Sequence, residues 1–420
     1  MSTTYTDVVT ALLPRRLLAV TAVLAMSVAG CGTYSGPGHS VVEKKLPAEL
    51  TANVADGAEG VTVDTLVDVT AEHGEVTEAT LTSQDAKQKV PGTITDEGWQ
   101  ADERLEPGST YLLKVTADGE DGKPVTLAAT FKTQKLTLDE QTYPAVAPLQ
   151  GEKVGVGMPV IVTFDRPVKD RAEFERHMTV TSEPAADEGS WSWLSNHEVH
   201  YRPKTYWPAG AKVHVKLDLN SVPAGNGIYG QQDQDIDFKI GRKAVSLVDM
   251  KKHKLTYSVD DKVERTIPVS TGDAGHQSRN GTKIIMEKFA SVDMDAASTG
   301  IDSSAPDYYN MKGVKWAMRV TNSGEFLHAA PWNAGYFGRA NMSHGCTGMS
   351  TADAGWLYQR SRRGDIVKFV GGTRSLEDHN GWTDWNVPWD EWVKGSALPQ
   401  PSPTPTTPSP TRPTPSSATA

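Results

Sequence analysis

From Leu46 to about Gly241 the chain is a succession of short β-branched runs set between polar turns, and runs of that kind bury their apolar edges by pairing into sheets. The first set covers residues 60–63, 65–69, 75–81, 111–115 and 125–131; the second covers 160–164, 198–201, 212–217 and 236–240. Turn signals fall at the spacing of a sandwich. Two immunoglobulin-like β-sandwiches in tandem are therefore expected, over residues 46–133 and 134–243. Neither contains a cysteine, so neither can carry the inter-sheet disulfide of antibody domains. Trp191, Trp193 and Trp207 read as packing residues rather than a sugar-stacking platform. His177, His197, His200 and His214 lack the tight spacing of metal ligands and read as structural.

After Ala244 strands continue at 245–249, 254–259, 264–269, 282–286 and 316–320, with longer, glycine-rich connections. A third β-rich domain is expected over 244–370, making the chain mainly β. One helix is predicted from Thr351 or Ala352 to about Arg363, with Ala354, Trp356, Leu357 and Tyr358 inside it and a basic last turn before Gly364. Residues 371–398 hold Trp382, Trp385, Trp389 and Trp392 in a piece too short for its own core, which must bury against a neighbouring domain. Residues 399–420 are Pro, Ser and Thr with almost nothing apolar, the composition of a disordered tail.

Chemistry concentrates between His328 and Ser350. Cys346 stands in Ser343-His344-Gly345-Cys346, with His328 upstream. A cysteine nucleophile acts as thiolate, so it needs an imidazole to take its proton and N–H groups aimed at the developing oxyanion. Gly345 would let the chain turn sharply before the thiol. The polar span 289–310, with Gly300, Pro306, Tyr308 and Tyr309, is either a lid over the site or a solvated loop. Zinc held by His328, His344 and Cys346 is disfavoured, because three-ligand sites draw on more separated residues. No metal or cofactor is expected.

The other cysteine has a different setting. Arg15 and Arg16 precede an apolar run over residues 17–28, too short to span a membrane but suited to a secretory signal, and Val28-Ala29-Gly30-Cys31 follows. Small residues before a cysteine resemble a bacterial lipobox. This predicts a signal peptide over 1–30, lipidation at Cys31 and a tether over 31–45, placing the protein outside the cytoplasm on a lipid anchor. A plain secretory signal and a Cys31–Cys346 disulfide are the alternatives; lipidation excludes the second. The net charge of -10, without clustered Lys or Arg, argues against a nucleic-acid partner.

The arrangement of His328 and, across residues 329–342, Ser343-His344-Gly345-Cys346 resembles the L,D-transpeptidase family that shares the YkuD catalytic domain. Supporting similarities are Val269-Ser270-Thr271-Gly272, Asn280-Gly281-Thr282, Phe326-Leu327-His328, Ala330-Pro331-Trp332 and Asp384-Trp385-Asn386-Val387-Pro388-Trp389-Asp390. The resemblance implies a monomer that cross-links peptidoglycan stem peptides and is acylated by carbapenems. Cys346 would be the nucleophile, His328 the proton acceptor, and Ser343, His344 and Gly345 the supporting loop. It also implies a lid tyrosine as oxyanion donor, for which Tyr308 or Tyr309 is the candidate, with Trp332 walling the cleft. Thr347 and Gly348 stand where the family pattern has an apolar residue and then Asn or Arg. They are substrate-contact candidates that depart from that pattern. An L,D-carboxypeptidase and a degenerate wall-binding lipoprotein are the competing readings.

Overall fold

Alternation along the paired strands builds two sandwiches in succession. In the first, Glu49–Ala52, Asp68–Glu72, Gly98–Ala101 and Gly92–Thr95 form one antiparallel sheet in that order, facing Lys89–Val90, Gly74–Ser83, Thr110–Gly119 and Pro124–Lys132. Along Thr110–Gly119, Tyr111, Leu113, Val115 and Ala117 point inward onto Val69 and Trp99 of the other sheet. The expected strand over 60–63 does not form, and the one expected over 65–69 starts only at Asp68. Thr65 N instead donates to Thr62 O (3.2 Å), and the turn buries Val63 and Val67 without regular pairing. The structure, a computed structural model, describes residues 44–399, of which 46–399 belong to one compact unit. The signal segment, Cys31 and its tether to residue 43, and the tail from residue 400 lie outside the described residues.

The second sandwich pairs Pro144–Ala147, Val160–Phe164, Glu198–Pro203 and Gly189–Trp193 against Lys153–Val154, Gln234–Ile240, Lys212–Leu217 and Met178–Glu183. Trp191, Trp193 and Trp207 are all buried in its core, so they have no face to offer a sugar. The four histidines are dispersed among separate partners. His177 meets Glu173, His197 meets Phe164 O, His214 meets Asp237, and buried His200 lies between Asp384 and Glu198.

The third domain has a five-stranded sheet in the order Lys262–Pro268, Lys254–Val259, Ala244–Asp249, Ile366–Val370 and Gly281–Ile284. A second sheet runs Glu287–Asp295, Asn310–Arg319, Phe326–Ala329 and Thr347–Met349. One core joins them: Val248, Leu255 and Phe369 from the first, Met318, Leu327 and Met349 from the second, and Ala354 and Leu357 from helix Thr351–Arg360. Ser350 caps that helix, its Oγ accepting from Asp353 N (3.0 Å), a bond of about 1 kcal/mol. The helix stops at Arg360 rather than Arg363. Ser361 is extended, and Arg362 N turns to the Asp365 carboxylate (2.8 Å), so the two following arginines belong to the return turn.

Ile284 and Ile366 of the five-stranded sheet enter the core of the second sandwich. The approach is close: a Cβ at Gly157 would stand 2.6 Å from Ile284 Cδ1. The tryptophan-rich piece seals the same junction. Trp385 Nε1 donates to Gly157 O (2.7 Å) and Trp392 Nε1 to Ser190 O (3.0 Å). The Arg202 guanidinium lies 4.8, 5.2 and 4.7 Å from the rings of Trp385, Trp389 and Trp392, contacts worth about 0.5–2 kcal/mol each, and donates to Val387 O (2.8 Å).

Candidate active site

Strands Phe326–Ala329 and Thr347–Met349 run parallel, with His328 opposite Gly348. Side chains alternate with period two, so Cys346, two residues before Gly348, shares the face of His328. Both open into one cavity of about 250 Å³, which Met294, Tyr309, Trp332 and His344 also line. The same alternation removes Thr347 from the substrate-contact candidates: it points to the other face and is fully buried. Gly348 does line the cavity. A Cβ there would come within 2.8 Å of Ala330 Cβ, so this backbone leaves no room for a larger residue unless a strand shifts.

Cys346 is delivered by a turn that glycine makes possible. Gly345 has φ +121°, a region that side-chain-bearing residues rarely adopt. Ser343 Oγ donates to Cys346 O (2.6 Å) and accepts from Gly345 N (3.2 Å), closing the turn from within. Ser278 closes it from outside: its Oγ donates to Gly345 O (2.6 Å) and accepts from Gly272 N (2.9 Å). Sequence reasoning missed Ser278, because a lone serine in a polar loop carries no signal of its own.

Burial sets the resting charge state. It pushes the Cys346 thiol up to about 12, against the pull of the Phe326 N–H. Burial likewise lowers the basicity of His328 below the ordinary imidazole value. His328 Nδ1 lies 2.8 Å from Ala329 O; a carbonyl only accepts, so Nδ1 carries the proton and Nε2 the lone pair. The resting pair is a neutral thiol and a neutral imidazole with the acceptor nitrogen already selected. Trp332, half-exposed, stacks on His328 at 5.8 Å.

The span expected to be one polar loop is largely a hairpin. Glu287–Asp295 and Asn310–Arg319 pair, leaving residues 296–309 as the connection. Of the two candidate tyrosines only Tyr309 lines the cavity, and burial raises its hydroxyl to about 12, which keeps it a proton donor. Tyr308 instead meets Asn310 Nδ2 (3.3 Å). His344 packs between Tyr309 (5.2 Å) and His276 (4.4 Å). His276 was missed as well: it meets Asp273 (3.1 Å) and Asp307 (3.3 Å) of the hairpin connection. Among the described residues no group of three or more His, Cys, Asp or Glu is placed to hold a metal ion.

A buried thiol beside a tautomer-selected imidazole, in an apolar cavity under a hairpin, can take an acyl group and pass it on. The family model of the L,D-transpeptidase catalytic domain matches residues 243–369, and that of a bacterial Ig domain matches residues 58–223, across both sandwiches. L,D-transpeptidase 2 of Mycobacterium tuberculosis is 36% identical over 393 residues, 90% of this chain and 94% of that protein. L,D-transpeptidase 5 of the same organism is 35% identical over 384 residues, 88% of this chain and 82% of that protein. A solved structure of the LD transpeptidase LdtMt1 in complex with imipenem is 31% identical, covering 54% of this chain and 97% of that one at a TM-score of 0.48. With likeness at that level running nearly end to end, the chain belongs to the L,D-transpeptidase family.

Proposed function

We propose that the protein forms 3→3 peptide cross-links in peptidoglycan through a thioester on Cys346. The observation that carries this reading is the shared sheet face of Cys346 and His328, opening into one cavity. In the first half-reaction the Sγ proton passes to His328 Nε2 as sulfur attacks the carbonyl carbon of the third residue of a tetrapeptide stem. The bond to D-alanine then breaks, and the imidazolium proton leaves with the D-alanine amine. In the second, the side-chain amine of a neighbouring stem attacks the thioester and gives up a proton through Nε2, and the thiol is restored. The Cys346 N–H and the Tyr309 hydroxyl are the oxyanion donors in this scheme.

Carbapenems fit the same first step, because opening of the β-lactam leaves the acyl group on sulfur. The signal-like segment before Cys31 further supports a lipid-anchored enzyme facing the cell wall. The test is intact-protein mass after carbapenem exposure, followed by incubation with tetrapeptide muropeptides. A single adduct lost in Cys346→Ala, together with cross-linked dimers, is expected. Tripeptides alone would make the enzyme an L,D-carboxypeptidase, and absence of an adduct would leave a wall-binding lipoprotein.

A further inference from the structure

The sulfur of Cys346 is held by a segment whose middle residue faces the other way. Its Sγ–H donates to Gly324 O (3.5 Å), and the Phe326 backbone N–H in turn bonds the sulfur. Between them Glu325, 3% exposed, turns inward beneath the nucleophile's turn, its Cγ 3.6 Å from where a Cβ of Gly345 would be. There the carboxylate meets three donors: Lys283 Nζ, the Arg279 guanidinium (2.8 Å) and the Arg279 N–H (3.2 Å). Lys283 comes from strand Gly281–Ile284 of the other sheet, is fully buried, and rests on the Phe369 ring at 3.6 Å. Arg279 is also bonded to Glu377, which is half-exposed. Neither family motif around Cys346 includes these residues.

We propose that Lys283 and Glu325 form a positioning pair for the nucleophile: Glu325 fixes the Gly324–Phe326 segment against the sulfur, and Lys283 cancels the negative charge this places under the forming thiolate. The inference rests on Cys346 being the nucleophile. A carboxylate is needed because two cationic donors from different elements converge on one point, but a bare carboxylate beneath a sulfur opposes its ionisation. Lys283 resolves that conflict. The electrostatics run in the same direction: Glu325 raises the thiol's proton affinity while Lys283 and, to a smaller extent, Arg319 lower it. Removing Lys283 leaves the carboxylate only Arg279, a cation it shares with Glu377, whereas removing both charges leaves no carboxylate beneath the sulfur.

The experiment is the rate of Cys346 alkylation by iodoacetamide across pH, in the full chain, alongside carbapenem acylation. Alkylation reads thiol ionisation whether or not the enzyme cross-links stems. Lys283→Met is expected to react about tenfold more slowly at pH 8, its profile moved up by about one unit. Glu325→Gln keeps the shape and one accepting oxygen, enough for the two Arg279 donors, gives up the acceptor of Lys283, and is expected to react at least as fast as wild type. The double variant is expected to return to within about threefold of wild type. A double variant as slow as Lys283→Met, or a Glu325→Gln slower than wild type, would show a structural role only and overturn the proposal. Should Lys283→Met fail to fold, Glu325→Gln alone still decides. A wild-type thiol that alkylates normally but takes no carbapenem would sink the proposed function and leave this inference standing.

Discussion

Asp365 stands just before strand Ile366–Val370, where the catalytic sheet meets the second sandwich, and its charge state is set by that buried position. The side chain is 3% exposed; Oδ2 accepts from Arg362 N (2.8 Å), while Oδ1 has no hydrogen-bond partner among the described residues. Burial raises its proton affinity to about 7, overcoming the pull of the Arg242, Arg362 and Lys288 cations. The folded protein thus keeps a proton that the unfolded chain, with an ordinary carboxyl near 3.8, has already released. The contribution is fully present below the unfolded value and lost as pH rises through the folded one. At 1.36 kcal/mol per unit, the loss between pH 5 and pH 8 is about 2–3 kcal/mol. Asp365→Asn holds the same shape without a titrating proton. Urea unfolding of both proteins at pH 5 and pH 8 measures the effect. The variant should gain on the wild type by about 2–3 kcal/mol between the two conditions. An equal difference at both pH values would mean that the group titrates alike in the folded and unfolded chains, and the reasoning from burial would fail.

Two other substitutions bear on the site. His328→Ala should slow carbapenem acylation by about a hundredfold or more, the low end for a lost general base, with the fold intact by circular dichroism. In the wild type burial keeps His328 neutral below its ordinary value, so the acid limb of the acylation profile should fall below pH 6.5; a limb at or above it would count against His328 as the base. Gly345→Ala meets no clash from Glu325 and suffers only from φ +121°. It should cost about 1–3 kcal/mol of stability or release the turn and depress acylation, and an unchanged Tm with an unchanged rate would refute the account.

Much of this is legible in the sequence. Alternating runs predicted sheets because a pleated strand has two faces, and the four tryptophans after residue 371 predicted a seal because they lacked a core of their own. The His328 and Cys346 pairing was visible as spacing within one stretch. Where reading stopped, local signals were ambiguous. Tyr308 and Tyr309 are indistinguishable in sequence, and only the hairpin's register turns Tyr309 into the cavity. Thr347 looked as close to the chemistry as Gly348, until strand alternation put it on the far face.

By itself the sequence determined which residue types are available for chemistry and where a turn without a side chain is possible, since both are properties of single positions and their near neighbours. The tertiary structure alone decided that Ser278 clamps Gly345 and that Lys283, Arg279 and Glu325 meet under the sulfur. It also decided that His276 reaches Asp307. Those contacts join separate loops and strands from two different sheets, and no periodicity along a chain encodes which strand comes to lie beside another.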